Sequence, residues 1–310
     1  MNEIAIATTT APVEQAFTQA HFDRWIAYLD AGPKTTSTYI KAVGRFFSYA
    51  HTQGITAPTR ADIIAYRGHL LASCKPTTVQ LYMVALRLFF RWLNQETGYP
   101  NVADKIKGAK LDTEHKKDYL TSRQVQKVLK SIDKGTLRGK RDYAMLFLMV
   151  STGLRTVEVS RACMEDMRSL GDFTALYVQG KGHAEKGAYV KVEEPVEAAI
   201  REYLAARKAG PKGPLFASTA HRNTGAAMDP CSVSRVVKER LIGAGFNSDR
   251  LTAHSLRHTA ATIALLNGAK VEEAQQMLRH KNIATTLIYS HAIERAKNNT
   301  EGRIVAAIAG

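Results

Sequence analysis

Apolar residues recur at three- and four-residue spacing along most of the chain, and the period shortens toward two in one place, between Phe173 and Glu193. A chain patterned this way has few options: packed helices, with one small sheet where the period drops to two. In the first hundred residues the spacing predicts four helices. Phe17 to Leu29 carries Phe17, Phe22, Trp25, Ile26 and Leu29, and Gly32-Pro33 ends it. Thr35 to His51 repeats the pattern and stops at Gly54, a third segment runs from Arg60 to about Leu71, and a fourth opens at Pro76, a favoured first-turn residue, and continues through Leu93. Short loops between four helices make a small bundle.

From Lys105 to Asp118 the chain turns polar and charged, the composition of an extended linker. Beyond it Thr121 is placed to cap a helix over Ser122–Ile132, and the apolar run Arg141–Ser151 ends at Gly153. Phe173–Gln179 and Ala188–Glu193 then read as a hairpin with glycines at 180, 182 and 187 around its tip. Helices resume at Val196–Lys208, Ser232–Ala244, Ser255–Asn267, Val271–Leu278 and about Ala284–Lys297. The expectation is a mainly α protein of two domains. Residues 1–12 form a disordered lead-in, 13–104 a four-helix domain, 105–118 the linker, and 119–310 a mostly helical domain with a small antiparallel sheet and a tail at 291–310.

Composition enters where partners are concerned. Lys and Arg outnumber Asp and Glu by 43 to 28, a net charge of +15. Such a surplus favours a polyanionic partner, nucleic acid first. No run of about 18 apolar residues spans a membrane, and Met1–Pro12 lacks the basic start of a secretory signal. Cys74, Cys163 and Cys231 lie far apart without CxxC spacing, which suits a reducing, cytoplasmic setting.

Five segments hold polar residues that packing alone explains poorly. In Thr152-Gly153-Leu154-Arg155-Thr156-Val157-Glu158, Arg155 opens a helix, and Glu158, three residues on, shares its face. A guanidinium matches phosphate oxygens in two-point contact, although a surface Arg–Glu pair fits the same pattern. Lys181, between two glycines, is exposed at the hairpin tip and suited to proton delivery, or is simply a common turn. His254 and Arg257 lie on one side of a helix and can hold one phosphate between a proton-transfer group and a fixed charge. His254 and His258 also have the i,i+4 spacing of a metal pair. The usual zinc motif places Glu after the first His, where Ser255 stands here, so no metal is expected. His280 ends an amphipathic helix, and Tyr289, one of 12 tyrosines, follows nine residues later.

In the order Arg, Lys, His-x-x-Arg, His, Tyr, these segments resemble the tyrosine recombinase (phage integrase) family, over essentially the whole chain. The resemblance implies a helical core-binding domain followed by the family's catalytic domain. Arg155 and Arg257 would bind the scissile phosphate, Lys181 would protonate the leaving 5′-hydroxyl, and His254 would transfer a proton near the nucleophile. His280 would contact the phosphate, Tyr289 would be the nucleophile, and Glu158 a support. The reaction would be site-specific recombination of double-stranded DNA through a 3′-phosphotyrosine. It would need neither metal, ATP nor another cofactor, and would run in a tetramer of protomers on two duplexes. Accessory bending or directionality factors are further possible partners.

Relatives often have Gly before the last catalytic His, where this chain has Arg279. The arm-binding domain of many phage integrases is expected to be absent, as in Xer-type and minimal members, with correspondingly short sites. The tail stretch Ile304–Ile308 reads either as a helix packed on its own domain or as one docking onto the adjacent protomer. For the first domain, Lys75, Thr77, Thr78, Gln80, Arg87 and Arg91 on the fourth helix, and Lys34, Thr36 and Arg45 on the second, are candidate DNA contacts; a solvated face would carry the same residues. Two other functions stay open: a type IB topoisomerase-like relaxation of DNA, and a catalytically silent DNA-binding or bridging protein.

Overall fold

Capping chemistry sets where the helices begin. In the computed structural model, which describes residues 17–110, 118–180, 185–289 and 300–309, the chain divides into two compact units, Met1–Glu114 and His115–Gly310. The first unit holds α1 (Gln19–Tyr28), α2 (Pro33–Thr52), α3 (Arg60–Ser73) and α4 (Pro76–Thr97). Thr18 caps α1, Pro33 and Pro76 sit in the first turns of α2 and α4, and Thr59 with Asp62 forms a capping box on α3. Gly98, at φ +73°, closes α4 in the left-handed conformation glycine adopts without strain.

The apolar faces meet in an aromatic core. Trp25, Phe46, Tyr66, Phe89 and Phe90 are fully buried. Trp25 meets Phe89 edge-on at 5.4 Å, and Phe17 stacks on Phe47 at 4.3 Å. Each such side chain contributes about 1.5–3 kcal/mol by leaving water.

The start of the expected linker is fixed to this unit. Arg60 donates to the carbonyl of Asp104 at 2.6 Å, Arg87 to that of Ile106 at 2.8 Å, and Arg67 to that of Lys107 at 2.9 Å, while Ile106 itself is buried. Composition alone does not register such bonds, because the arginines that make them lie on other elements.

The second unit holds α5 (Ser122–Lys130), α6 (Leu137–Thr152), α7 (Thr156–Arg161), three strands, then α8 (Glu194–Ala206), α9 (Pro230–Gly243), α10 (Ala253–Leu266) and α11 (Val271–Leu278). Residues 284–289 form α12 as far as they are described, and Thr300–Ala309 form α13. The part of the expected last helix at 290–297 lies outside the described residues. Buried α6 is the spine, packed on α8, α9 and α10. Its Asp142 is fully buried and accepts from Arg141 (2.7 Å) and from Arg240 of α9 (2.8 Å), so the charge is paired within the core. The backbone N–H of Leu120 donates to Thr259 at 2.9 Å, tying the start of the unit to α10.

The sheet has three strands rather than the hairpin expected. β1 (Met167–Leu170), β2 (Phe173–Val178) and β3 (Ala188–Val192) pair antiparallel in that order, with Met167 opposite Leu176 and Tyr177 opposite Tyr189. The added strand, Met-Arg-Ser-Leu, is a four-residue edge with both central side chains exposed, so it carries no β-branched alternation to read. In α13, Ile304, Val305 and Ile308 remain 54%, 62% and 81% exposed.

Candidate active site

The site is assembled where the ends of α6 and α11 meet α10. Gly153 terminates α6 at φ +64°, and a Cβ there would stand 2.4 Å from Leu278 Cδ2. Only glycine allows both this backbone and this approach. The turn delivers Arg155 to the N-cap of α7, where its backbone N–H donates to Glu158 Oε2 at 2.7 Å and its guanidinium to Oε1 at 3.0 Å. Glu158 is 1% exposed, so its carboxylate exists to hold its partners rather than to meet solvent.

Arg257, on α10, is also buried. It donates to the carbonyl of Gly153 at 2.6 Å and to that of Leu278, bracing the ends of α6 and α11 against each other. Burial, then the charges of Arg155 and Arg279, push it down to about 9, against the pull of Glu158 and Tyr289. It still carries its charge at neutral pH.

After α11, Arg279 takes a left-handed conformation (φ +54°, ψ +45°), which costs a side-chain-bearing residue about 1–2 kcal/mol. Its guanidinium reaches Glu158 Oε2 at 2.9 Å and the carbonyl of Met277 at 2.7 Å. His280 follows, with Nδ1 2.9 Å from the buried Thr286 hydroxyl. Burial, then Arg257, Arg155, His254 and Arg279, hold its pKa down at about 4, so it is neutral at pH 7.

Tyr289 ends the described part of α12 and is 6% exposed, packed with Ala261 and Leu278. His258 lies 5.1 Å from its ring, and His254 lies edge-on to His258 at 4.6 Å. Burial raises the Tyr289 pKa, while Arg257 and Arg155 pull it down, so the phenol is protonated at neutral pH and needs a proton acceptor to react.

One cleft of about 1070 Å³ is lined by Arg155, His254, Arg257, His280 and Tyr289 together with Glu158 and Arg279. Lys181 lies outside the described residues; Gly180 and Glu185 on either side of that stretch line the same cleft. Close by, Lys186 donates to Asp166 at 2.5 Å and to the carbonyl of Arg161 at 3.1 Å, which ties the hairpin to the end of α7. Among the described residues no three His, Cys, Asp or Glu side chains come together as metal ligands.

Three partners were not legible from spacing. Arg279 shares Glu158 with Arg155 across 121 residues, Thr286 seats His280, and His258 faces Tyr289. The one available signal was Arg279 standing directly before His280. The candidate DNA contacts all belong to the first unit. Lys34, Lys75, Thr77 and Arg91 are exposed, and Thr78 is half-buried. Thr36 donates to the carbonyl of Ala31 (3.1 Å) and Arg45 to Cys74 Sγ (3.1 Å), while Gln80 packs against Gly108 and Arg87 is engaged by Ile106.

The family model described as the phage integrase family matches residues 118–295, more than half of the chain, and the phage integrase N-terminal SAM-like domain matches residues 22–97. The chain belongs to the phage integrase family. The recombinase is 30% identical over 295 residues to tyrosine recombinase XerC 2 of Ralstonia nicotianae, covering 89% of this chain and 81% of that protein. It is 32% identical over 215 residues to tyrosine recombinase XerC of Caldanaerobacter subterraneus, covering 67% of this chain and 57% of that relative. In fold it resembles the XerH site-specific recombinase bound to palindromic difH substrate in a post-cleavage complex. That likeness has a TM-score of 0.73 at 19% identity, over 92% of this chain and 85% of that one. The recombinase is thus a site-specific enzyme acting on DNA, with a mainly helical fold and a small antiparallel sheet.

Proposed function

We propose that the recombinase cuts and rejoins DNA with Tyr289 as its nucleophile. The Tyr289 Oη attacks the scissile phosphorus, the bond from phosphorus to the 5′-oxygen breaks, and a 3′-phosphotyrosine forms. Lys181 protonates the departing 5′-oxygen and His254 takes part in the transfer of the phenol proton. Arg155 and Arg257 bind the non-bridging oxygens, whose charge grows in the transition state; fixed donors of this kind supply several kcal/mol. His280, neutral and seated on Thr286 through Nδ1, donates one hydrogen bond to the phosphate without adding charge. A 5′-hydroxyl from the partner duplex then attacks the phosphotyrosine, reseals the strand and frees Tyr289. The bond energy is conserved throughout, so no nucleotide is consumed.

What supports this assignment most is a single juxtaposition: the nearly buried phenol of Tyr289 shares the cleft with Arg155 and Arg257, whose charges counter the effect of burial on it. We further propose that the protein works on double-stranded recombination sites as a tetramer, in the cytoplasm of a bacterial or phage-infected cell. No helix among the described residues is long and apolar enough to cross a membrane. The exposed face of α13 is assigned to the neighbouring protomer, and accessory bending or directionality factors are expected at sites that need them. The same reaction serves integration, excision and Xer-type resolution.

The test compares wild type with Tyr289→Phe on nicked duplexes from the DNA flanking the gene, in EDTA. A denaturation-resistant protein–DNA band with wild type alone, at unchanged binding, supports the assignment. Equal bands from both proteins, or none from either despite tight binding, would contradict it.

A further inference from the structure

The left-handed turn between α11 and His280 is a place for glycine, yet it holds an arginine at φ +54° whose side chain is only 13% exposed. Nothing in the turn itself calls for a side chain. The guanidinium instead crosses to α7, where it shares Glu158 with Arg155, each arginine bonded to a different carboxylate oxygen at 2.9 and 3.0 Å. Its Nε is buried with no hydrogen-bond partner, a further cost that a residue kept only for shape would not carry. The residue therefore sits in an unfavourable backbone conformation, desolvated and incompletely satisfied, with its strongest contact on the carboxylate that orients a phosphate-binding group.

We infer that Arg279 is a positioning residue, which fixes Glu158 and through it the Arg155 fork that receives the scissile phosphate. This rests on the reading of the site given above. Glu158 accepts the Arg155 backbone N–H, the Arg155 guanidinium and the Arg279 guanidinium together, so three of its four lone-pair directions are committed. With Arg279 removed, the Oε2 side keeps only the backbone N–H, and the carboxylate can rotate and carry Arg155 with it. Burial works to raise the Glu158 pKa, and Arg279 is the largest single influence that lowers it, ahead of Arg155. The Leu278-Arg279-His280 tripeptide would then serve three roles in sequence: its first carbonyl seats Arg257, its middle side chain sets Arg155, and its last ring meets the phosphate.

The test uses the full chain on nicked recombination-site DNA, measuring DNA affinity, the single-turnover rate of adduct formation at saturating DNA, and thermal stability. Arg279→Gly suits the backbone, so the fold and the affinity should be kept while the cleavage rate falls about 10- to 100-fold, the scale of a displaced reacting group. Arg279→Lys should recover part of that loss, because it restores charge but not the fork. In a Glu158→Gln background, Arg279→Gly should add little further loss. A cleavage rate in Arg279→Gly equal to wild type would overturn the inference, as would a loss confined to affinity or a full independent loss in the Glu158→Gln background. Unfolding of both Arg279→Gly and Arg279→Asn, each compatible with the turn, would equally overturn it and make Arg279 a brace. Wild type that forms no adduct would instead remove the reading of the site, a distinct result.

Discussion

Arg155, Arg257 and Arg279 crowd around the carboxylate of Glu158, leaving a surplus of positive charge that the proposed phosphate would offset. Burial, reinforced by the same crowding, keeps His280 neutral. Its folded pKa of about 4 lies below the usual value of about 6.5, so between those values the unfolded chain binds the proton and the folded chain does not. Stability from this group is therefore complete above about pH 6.5 and lost as the pH falls toward 4. Urea denaturation across that range should show the slope in wild type and a flatter one in His280→Gln; identical slopes would mean the ring is not held neutral. Gly153 is the second residue-scale test. Gly153→Ala combines a left-handed backbone with a methyl group pressed on Leu278, and should cost about 2–4 kcal/mol in equilibrium unfolding. A loss under about 0.5 kcal/mol, the range of ordinary surface changes, would show that α6 and α11 do not meet as described.

At the scale of elements, α13 is the exposed one. Replacing Ile304 and Ile308 by Ser should leave the thermal midpoint of the DNA-free protein within about 1–2 °C, since surface substitutions change stability by only about 0.5 kcal/mol. The same variant should lose cooperative assembly on paired sites, seen as half-site complexes in a gel shift; a large drop in the midpoint would instead mean that α13 packs on its own protomer. Much of the element plan was legible beforehand because its signals are local. Thr121 caps α5, Gly153 stops α6 and Pro76 opens α4, each within one turn of the boundary it sets. What spacing did not reveal is non-local or lacks a pattern. β1 is too short and polar to alternate. Residues 105–110 read as linker because their own side chains are mostly polar, whereas Arg67 of α3 and Arg87 of α4 hold the carbonyls of Lys107 and Ile106. At the site, every cleft-lining residue named from the family motif was visible as a motif, but the link from Arg279 to Glu158 spans 121 residues and leaves no trace in either segment.

For the whole molecule the first consequence is electrostatic. A chain carrying +15 that neutralises several phosphates should bind DNA with log K falling linearly against log salt, by about 0.9 for each phosphate engaged. If exposed Arg91 is one of those contacts, Arg91→Ala should lower the slope by about one contact and weaken all sequences alike; an unchanged slope would place α4 away from the backbone. The central claim is the covalent bond to Tyr289, and it is tested most directly by trapping the wild-type adduct, digesting it with nuclease and trypsin, and sequencing the modified peptide by mass spectrometry. Cleavage after Lys281 and Arg295 releases residues 282–295, which contain one tyrosine. A 3′-linked nucleotide remnant on Tyr289 is the predicted result; a remnant on any other residue would contradict the account.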